Sequence, residues 1–175
     1  MEIKSGSPRE IIETVKKNIS LSEEKRRQQR FEYNLSQLAN GNIQVLKNIE
    51  FVQGIVDYLL HRDDNDRMSK QKILATLSNA VISEDMSVRE RILAVLSLAC
   101  ENFMQVGLKD EALLVAQGFS NWLGSEKEVL PGLVVFIKRI EELTVWLLEN
   151  SFWKEAEEML SLFYRIHSGD ILKGA

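Results

Sequence analysis

The residues best equipped for chemistry in this chain fall into three groups, and each asks for a different partner. The acidic run "DDNDRM", Asp63 to Met68, clusters the carboxylates that a hard cation such as calcium favours. A calcium loop opening at Asp63 or Asp64 needs glycine at its sixth position and glutamate at its twelfth. Met68 or Ser69 stands at the first of these, and Leu74 or Ala75 at the second. The run therefore reads as a solvated turn between helices. The second group is "EEKRRQQR", which brings Lys25, Arg26, Arg27 and Arg30 together. Arg26, Arg27 and Arg30 are candidates for contact with an anionic partner. Glu23 and Glu24 stand three and four residues from these bases and pair with them on a helix. No aromatic stacking set accompanies the cluster, which argues against single-stranded nucleic acid.

The third group is aromatic. Trp122, Trp146, Trp153, Phe163 and Tyr164 concentrate in the last third of the chain. Aromatic residues dominate interface hot spots, although at helical spacing most of them belong to a core. Trp153 and Tyr164, at the margins of an apolar stripe, and Phe152 beside them are the candidate partner-binding residues. The acids Glu141, Glu142, Glu149, Glu155, Glu157 and Glu158 crowd the same region. They suit solubilisation or the binding of a basic peptide.

Sets that would carry catalysis were sought by spacing. The glycines are scattered at helix ends and build no phosphate-cradling loop. His61 and His167 lie in separate turns and Cys100 is the only cysteine, so no Cys/His metal site or intrachain disulfide is expected. The paired-histidine helix of zinc proteases, the Gly-x-Ser-x-Gly nucleophile turn and the Glu-x-x-His pairs of a di-iron bundle have no counterpart. No catalytic residue and no cofactor is expected.

These groups need elements to position them, and composition says which kind. Of 175 residues, 45% are hydrophobic and 27% charged, the proportions of a globular domain. A net charge of -4 opposes docking on duplex DNA, whose binders present a positive field. No apolar run approaches the length of a membrane-spanning helix. The first residues, "MEIKSGSPRE", lack the apolar core of a secretory signal. Together with a single cysteine in the apolar "VLSLACENF", they point to a reducing, cytoplasmic compartment.

Helical periodicity runs through nearly the whole chain, with no alternation of the strand type. Ser7, Pro8 and Glu10 form a capping box with proline at the first helical position, opening a helix over 8–19. A second helix starts at Ser20 or Ser22 and stops at Asn40-Gly41. A third spans 42–61, with Ile49, Val52, Val56 and Leu59 on one stripe. The fourth runs over 69–82, the fifth over 87–106 to Gly107, and the sixth over 109–123 to Gly124. The box-like "SEKE" at 125–128 is read as a short turn, because Pro131 opens the seventh helix, 131–149. The eighth covers 151–166, where Phe152, Ala156, Met159, Phe163 and Ile166 form a stripe that Trp153 and Leu160 widen to half the circumference. One neighbour needs only about 100° of apolar face, so this helix asks for several.

A shift of about 44 residues lays the fifth and sixth helices on the seventh and eighth. Ile92 falls on Phe136, Leu96 on Ile140, Ala99 on Leu143 and Phe103 on Leu147. Across the turn, Leu108 falls on Phe152, Glu111 on Glu155, Ala112 on Ala156 and Phe119 on Phe163. In the other direction, Leu93, Leu96, Cys100 and Phe103 fall on Ile49, Val52, Val56 and Leu59. Recurrence of a long helix, tight turn and shorter helix at one offset indicates repeated helical hairpins.

"GLKDEALLVAQGF" and "NSFWKEAEEMLSLF" resemble the turn and second helix of tetratricopeptide hairpins, although the period of about 44 exceeds that family's 34. "SEDMSVRERILAVLSLA", with Asp85, Val88 and Arg89, resembles the second helix of a HEAT repeat. Both resemblances imply an α-α superhelix. The expected fold is all-α, about eight helices in one domain: a two-helix piece over 1–41, three hairpins over 42–166, and a tail or the start of a truncated helix over 167–175. An irregular helical bundle is the alternative. The expected function is a non-catalytic scaffold that binds a protein partner or another region of a parent chain. The alternative is a homodimer that buries the apolar face of the eighth helix. No membrane or nucleic-acid partner is expected.

Overall fold

In the computed structural model the chain is all-helical, and the structure describes residues 6–61, 66–83, 85–126 and 134–174. Seven α-helices and one 3-10 turn carry it: α1 (Pro8–Ala39), η1 (Ile43–Lys47), α2 (Ile49–Leu60), α3 (Arg67–Ala80), α4 (Met86–Val106), α5 (Lys109–Ser125), α6 (Val134–Glu149) and α7 (Trp153–Gly174). The chain divides into two units, Met1–Ser36 and Gln37–Ala175, each described by itself.

The first unit is most of α1. Its start follows the capping box: Glu10 Oε2 accepts from the Ser7 amide at 3.0 Å, and Ser7 Oγ accepts from the Glu10 amide at 3.4 Å. The two helices expected over 8–19 and 20–39 are one continuous helix. Serine is only mildly unfavourable inside a helix, by a few tenths of a kcal/mol. With no glycine or proline between Arg9 and Ala39, the cap signals at Ser20 and Ser22 have no breaker to act with. The helix stops at the pair Asn40-Gly41, where Gly41 adopts φ 92°.

The third expected helix divides for the opposite reason. Asn42 and Asn48 both hold extended backbone and act as caps, Asn42 accepting from Gln44 and Asn48 from Phe51. The five residues from Ile43 to Lys47 close only a 3-10 turn, which Arg91 of α4 secures by donating to the Leu46 carbonyl at 2.8 Å. The stripe buried on α2 is Phe51, Ile55 and Leu59. Ile49, expected on the inner face, is 60% exposed. It is the first residue after the cap, and the helix phase set there turns it outward.

In the second unit the helices sort into two rows. One row is α2, α4 and α6, and the other is α3, α5 and α7; each member packs on the next. Between the rows α4 packs on α3 and α5, and α6 on α7. Hydrogen bonds that tie neighbours within a row join residues 42 to 44 apart in sequence: Arg165 to the Leu123 carbonyl, Asn121 to the Ser78 carbonyl, and Arg67 to Glu111; Arg91 of α4 reaches the Leu46 carbonyl of η1 at a similar separation. The turns recur as well. Gly107 has φ 78° and the Leu108 amide donates back to Phe103 O at 2.9 Å. Ser151 has φ 65° and the Phe152 amide donates back to Leu147 O at 2.9 Å.

Rows of this kind pack closely only where one side chain is missing. A Cβ on Gly118 of α5 would stand 2.8 Å from Leu96 Cδ1, 2.9 Å from Ser78 Oγ and 3.1 Å from Ser78 Cβ. Ser78 is itself fixed, donating to the Leu114 carbonyl at 2.7 Å. Around this contact lie Leu74, Leu77, Ile92, Leu96, Val115, Phe119 and Trp122, all fully buried. Further along, α7 runs unbroken to Gly174, through the stretch expected to turn after residue 166. A lone glycine at 169 costs a helix about 1 kcal/mol and does not stop it. Pro131 and the turn over 127–133 lie outside the described residues.

Gly118→Ala is expected to destabilise by a net of up to about 2 kcal/mol, although alanine is the better helix former: overpacking costs about 1–3 kcal/mol against a propensity gain of about 1. A melt lowered by roughly 2–8 °C would report it, and Gly118→Val should cost more. Ser151→Gly should raise stability by about 0.5–1 kcal/mol, because glycine adopts positive φ without steric cost. A urea titration showing no gain would mean that Ser151 is held there without strain.

Candidate functional site

Cys100 and the carboxylates of Asp85 and Glu126 each have a structural occupation. Burial pushes the Cys100 thiol up to about 12, against which the nearby Arg139 charge acts only in part. A thiol with no thiolate fraction at neutral pH is an inert core group. Asp85 caps α4, accepting from the Ser87 amide at 3.1 Å and the Val88 amide at 3.3 Å. The hydrogen bonds from the Ser87 side chain and the Val88 amide, more than the Lys47 charge, hold its carboxyl below the usual range. Arg89, one turn on, donates to the Ser83 carbonyl and to Glu126, which also accepts from Trp122 Nε1 at 3.0 Å. The Asp85, Val88, Arg89 pattern thus fastens the α3–α4 turn to the end of α5.

A cleft of about 220 Å³ forms in the second unit where α2, α3, α4 and α5 meet. Leu59, Phe103, Val106 and Leu108 give it an apolar wall, and Arg67, Lys70 and Glu111 its polar rim. The rim groups are already engaged with one another. Glu111, only 3% exposed, accepts from Arg67 Nε at 2.7 Å, from Arg67 Nη2 at 3.2 Å and from Gln71 at 3.2 Å. Lys70 donates to the His61 carbonyl and stands 5.5 Å from the Tyr58 ring centroid. Among the described residues no group of three or more His, Cys, Asp or Glu side chains could hold a metal ion. The calcium-like run at 63–65 lies outside them. No described helix is long and apolar enough to cross a membrane.

The expected partner-binding residues separate. Trp153 and Tyr164 are 63% and 77% exposed, and Leu160 between them is 50% exposed. Phe152 is half-buried and stacks on Trp146, ring centroids 6.0 Å apart at 22°. At 100° per residue, Trp153, Leu160 and Tyr164 form one narrow stripe, with Glu157 inside it. Met159, fully buried, lies about 120° to one side, and Arg165, which reaches Leu123 of α5, about 120° to the other. The stripe therefore points away from the neighbours that α7 already has. On α1, Arg26 and Arg30 share a face with Gln29 and Tyr33, while Arg27 points elsewhere. That same face begins with Ile12, Val15 and Ile19, all exposed. Sequence reading had weighed the bases alone and missed the isoleucines, although their spacing of four and seven was the available signal.

Comparison with known proteins finds no matching family model, no matching curated protein and no matching solved structure.

The Arg67–Glu111 pair has a testable sign. Burial raises the Glu111 carboxyl, but the hydrogen bonds from Arg67, its own amide and Gln71, together with the Arg67 charge, outweigh it and leave the group below its ordinary value. A depressed carboxyl contributes stability above its unfolded value near 4.3, lost as pH falls through the folded value. Arg67→Met removes the charge and two of the donors, leaving burial to raise the group. The variant should lose about 1.5–3 kcal/mol at pH 7 and distinctly less near about pH 3, where the parent's own carboxylate is being titrated. Urea melts at the two pH values check this, and equal losses at both would refute the pairing.

Proposed function

We propose that this chain is a non-catalytic protein–protein interaction module of helical-repeat type, whose second unit is an α-α superhelix acting as a scaffold in the cytoplasm. The observation that carries this reading is the recurrence, 44 residues apart, of the same left-handed turn and the same back-donated amide at Gly107-Leu108 and Ser151-Phe152. Helices that repeat in this way, each packed on the second helix before and after it, build quasi-linear stacks whose long exposed faces serve binding. The resemblance to tetratricopeptide and HEAT hairpins supports the same architecture. Binding rather than chemistry is supported by the occupation of the titratable groups. Cys100 packs the core, Asp85 caps a helix, and Glu111 is locked to Arg67 and Gln71. A buried free thiol suits a reducing compartment.

The binding surface under this reading is the exposed aromatic stripe of α7. Large aromatic side chains held on a rigid helix lose little entropy on docking and are the residue types that dominate interface energetics. Trp153→Ala with Tyr164→Ala should weaken binding of a protein partner by about 2–4 kcal/mol, since hot-spot truncations cost at least about 2 each and are not additive. The check is crosslinking and affinity measurement with partners captured from source-cell lysate at moderate salt. Partners that bind the double variant as tightly as the parent would sink the assignment of this stripe.

A further inference from the structure

The two orphan faces described above carry opposite charge. Residues 1–36 hold eight basic and six acidic side chains, whereas residues 37–175 hold fourteen basic and twenty acidic. On α1 the face of Ile12, Val15 and Ile19 continues as Arg26 and Arg30, with Lys16 beside the isoleucines. A helix in water draws most of its stability from packing an apolar face against something, and Ile12, Val15 and Ile19 are exposed. On α7 the aromatic stripe carries Glu157, about 40° from Trp153, and Glu149 stands just beyond its start, at the end of α6. Each face has the complement of what the other has: an apolar strip with bases, and an apolar strip with acids.

We propose that α1 of one copy of this chain docks along the α7 stripe of a second copy, in a reciprocal two-fold dimer. The inference rests on the reading of that stripe as a binding surface and names its occupant. Antiparallel docking sets Ile12 and Ile19, seven residues apart, against Leu160 and Trp153, also seven apart, with Val15 and Lys16 beside Glu157, and carries Arg26 and Arg30 past Trp153 toward Glu149. Pairing of α7 with its own copy is disfavoured by the same charges. Across a two-fold axis midway between residues 157 and 160, each Glu157 would be set on Leu160 of its mate with the second Glu157 one turn away, which buries an acid with no base beside it. Reciprocal exchange also closes the assembly, since each copy supplies one helix and one stripe and leaves neither open for a third.

The test is sedimentation velocity on the full chain at roughly 10–200 µM, at low and moderate salt, with two variants. Ile12→Asp with Ile19→Asp spoils the helix face, and Trp153→Ala with Tyr164→Asp spoils the stripe; all four residues are exposed, and near-ultraviolet circular dichroism from the remaining buried tryptophans checks that residues 37–175 stay folded. The parent chain should dimerise and each variant should weaken association by at least about tenfold. An equimolar mixture of the two variants should recover part of it, because one intact helix and one intact stripe then lie on different molecules. A parent chain that stays monomeric throughout overturns the proposal, as does a dimer that survives the α1 substitutions, which would mean a different interface. Either failure leaves the interaction-module reading to be judged by partner capture, where only the stripe variant is expected to lose binding.

Discussion

The packing of residues 37–175 depends on how near α5 can come to α3, and one missing side chain sets that distance. Where Gly118 meets Leu96 and Ser78 there is no room for a Cβ. A glycine in mid-helix costs about 1 kcal/mol relative to alanine, so the close approach has to return more than that. It does so through the core that surrounds it. Phe119 and Trp122 of α5 are fully buried, and the two helices are tied at the same level by the Ser78 hydroxyl donating to the Leu114 carbonyl and Asn121 donating to the Ser78 carbonyl. Because α5 also packs on α4 and α7, its position fixes both rows at once. Widening this single contact would loosen the cleft at one end of α5 and the Trp122–Glu126–Arg89 linkage at the other.

What the sequence made legible follows from where local and tertiary preferences agree. The capping box at Ser7, the Asn40-Gly41 stop and the Gly107 stop need only their own few residues, and each stands where the spacing put it. The all-helical class was legible because no long segment alternates. The core faces of α4 and α6, which read alike at an offset of about 44 residues, were legible because their apolar residues recur at helical spacing without a break. Ile140, Leu143 and Leu147 are fully buried, as are Leu96 and, to within a few per cent, Ala99 and Phe103. The core face of α2 was not legible. At the same offset Phe51, Ile55 and Leu59 correspond to Val95, Ala99 and Phe103, all of them buried. The stripe chosen from apolar spacing alone had taken in Ile49, because the cap at Asn48 that sets the helix phase was hidden inside what read as one longer helix.

The candidate site was half legible for a related reason. Periodicity tells which residues share a face, but it does not tell which of two apolar faces is covered. Residues 152, 153, 156, 159, 160, 163 and 166, with 164 at the margin, read as one broad stripe. In the structure Ala156 and Met159 are buried, Phe152 folds onto Trp146, and Trp153, Leu160 and Tyr164 stay in water. The division is decided by the direction of α5, which Arg165 marks by reaching the Leu123 carbonyl. That carbonyl sits in the last turn of α5, where no intrahelical donor remains for it. A long-range bond of this kind has no signature in local sequence.

A helix within a row of hairpins needs apolar surface toward its hairpin mate and toward both neighbours in the row, which explains why α7 is apolar over half its circumference. Two of those demands are met, by α6 and α5. The third side is the one that carries Trp153, Leu160 and Tyr164. Leaving a tryptophan and a tyrosine more than half exposed forgoes about 1.5–3 kcal/mol of burial for each, a cost that a solvated face would avoid with lysine or glutamate. The same chain shows that it can build such a face: Glu50, Gln53 and Asp57 cover the outer side of α2. In the second unit the aromatic residues on α7 are the part of its apolar circumference that neither α5 nor α6 covers. On the proposed reading of this stripe as a binding surface, Glu157 beside it favours an occupant that brings positive charge with its apolar side chains.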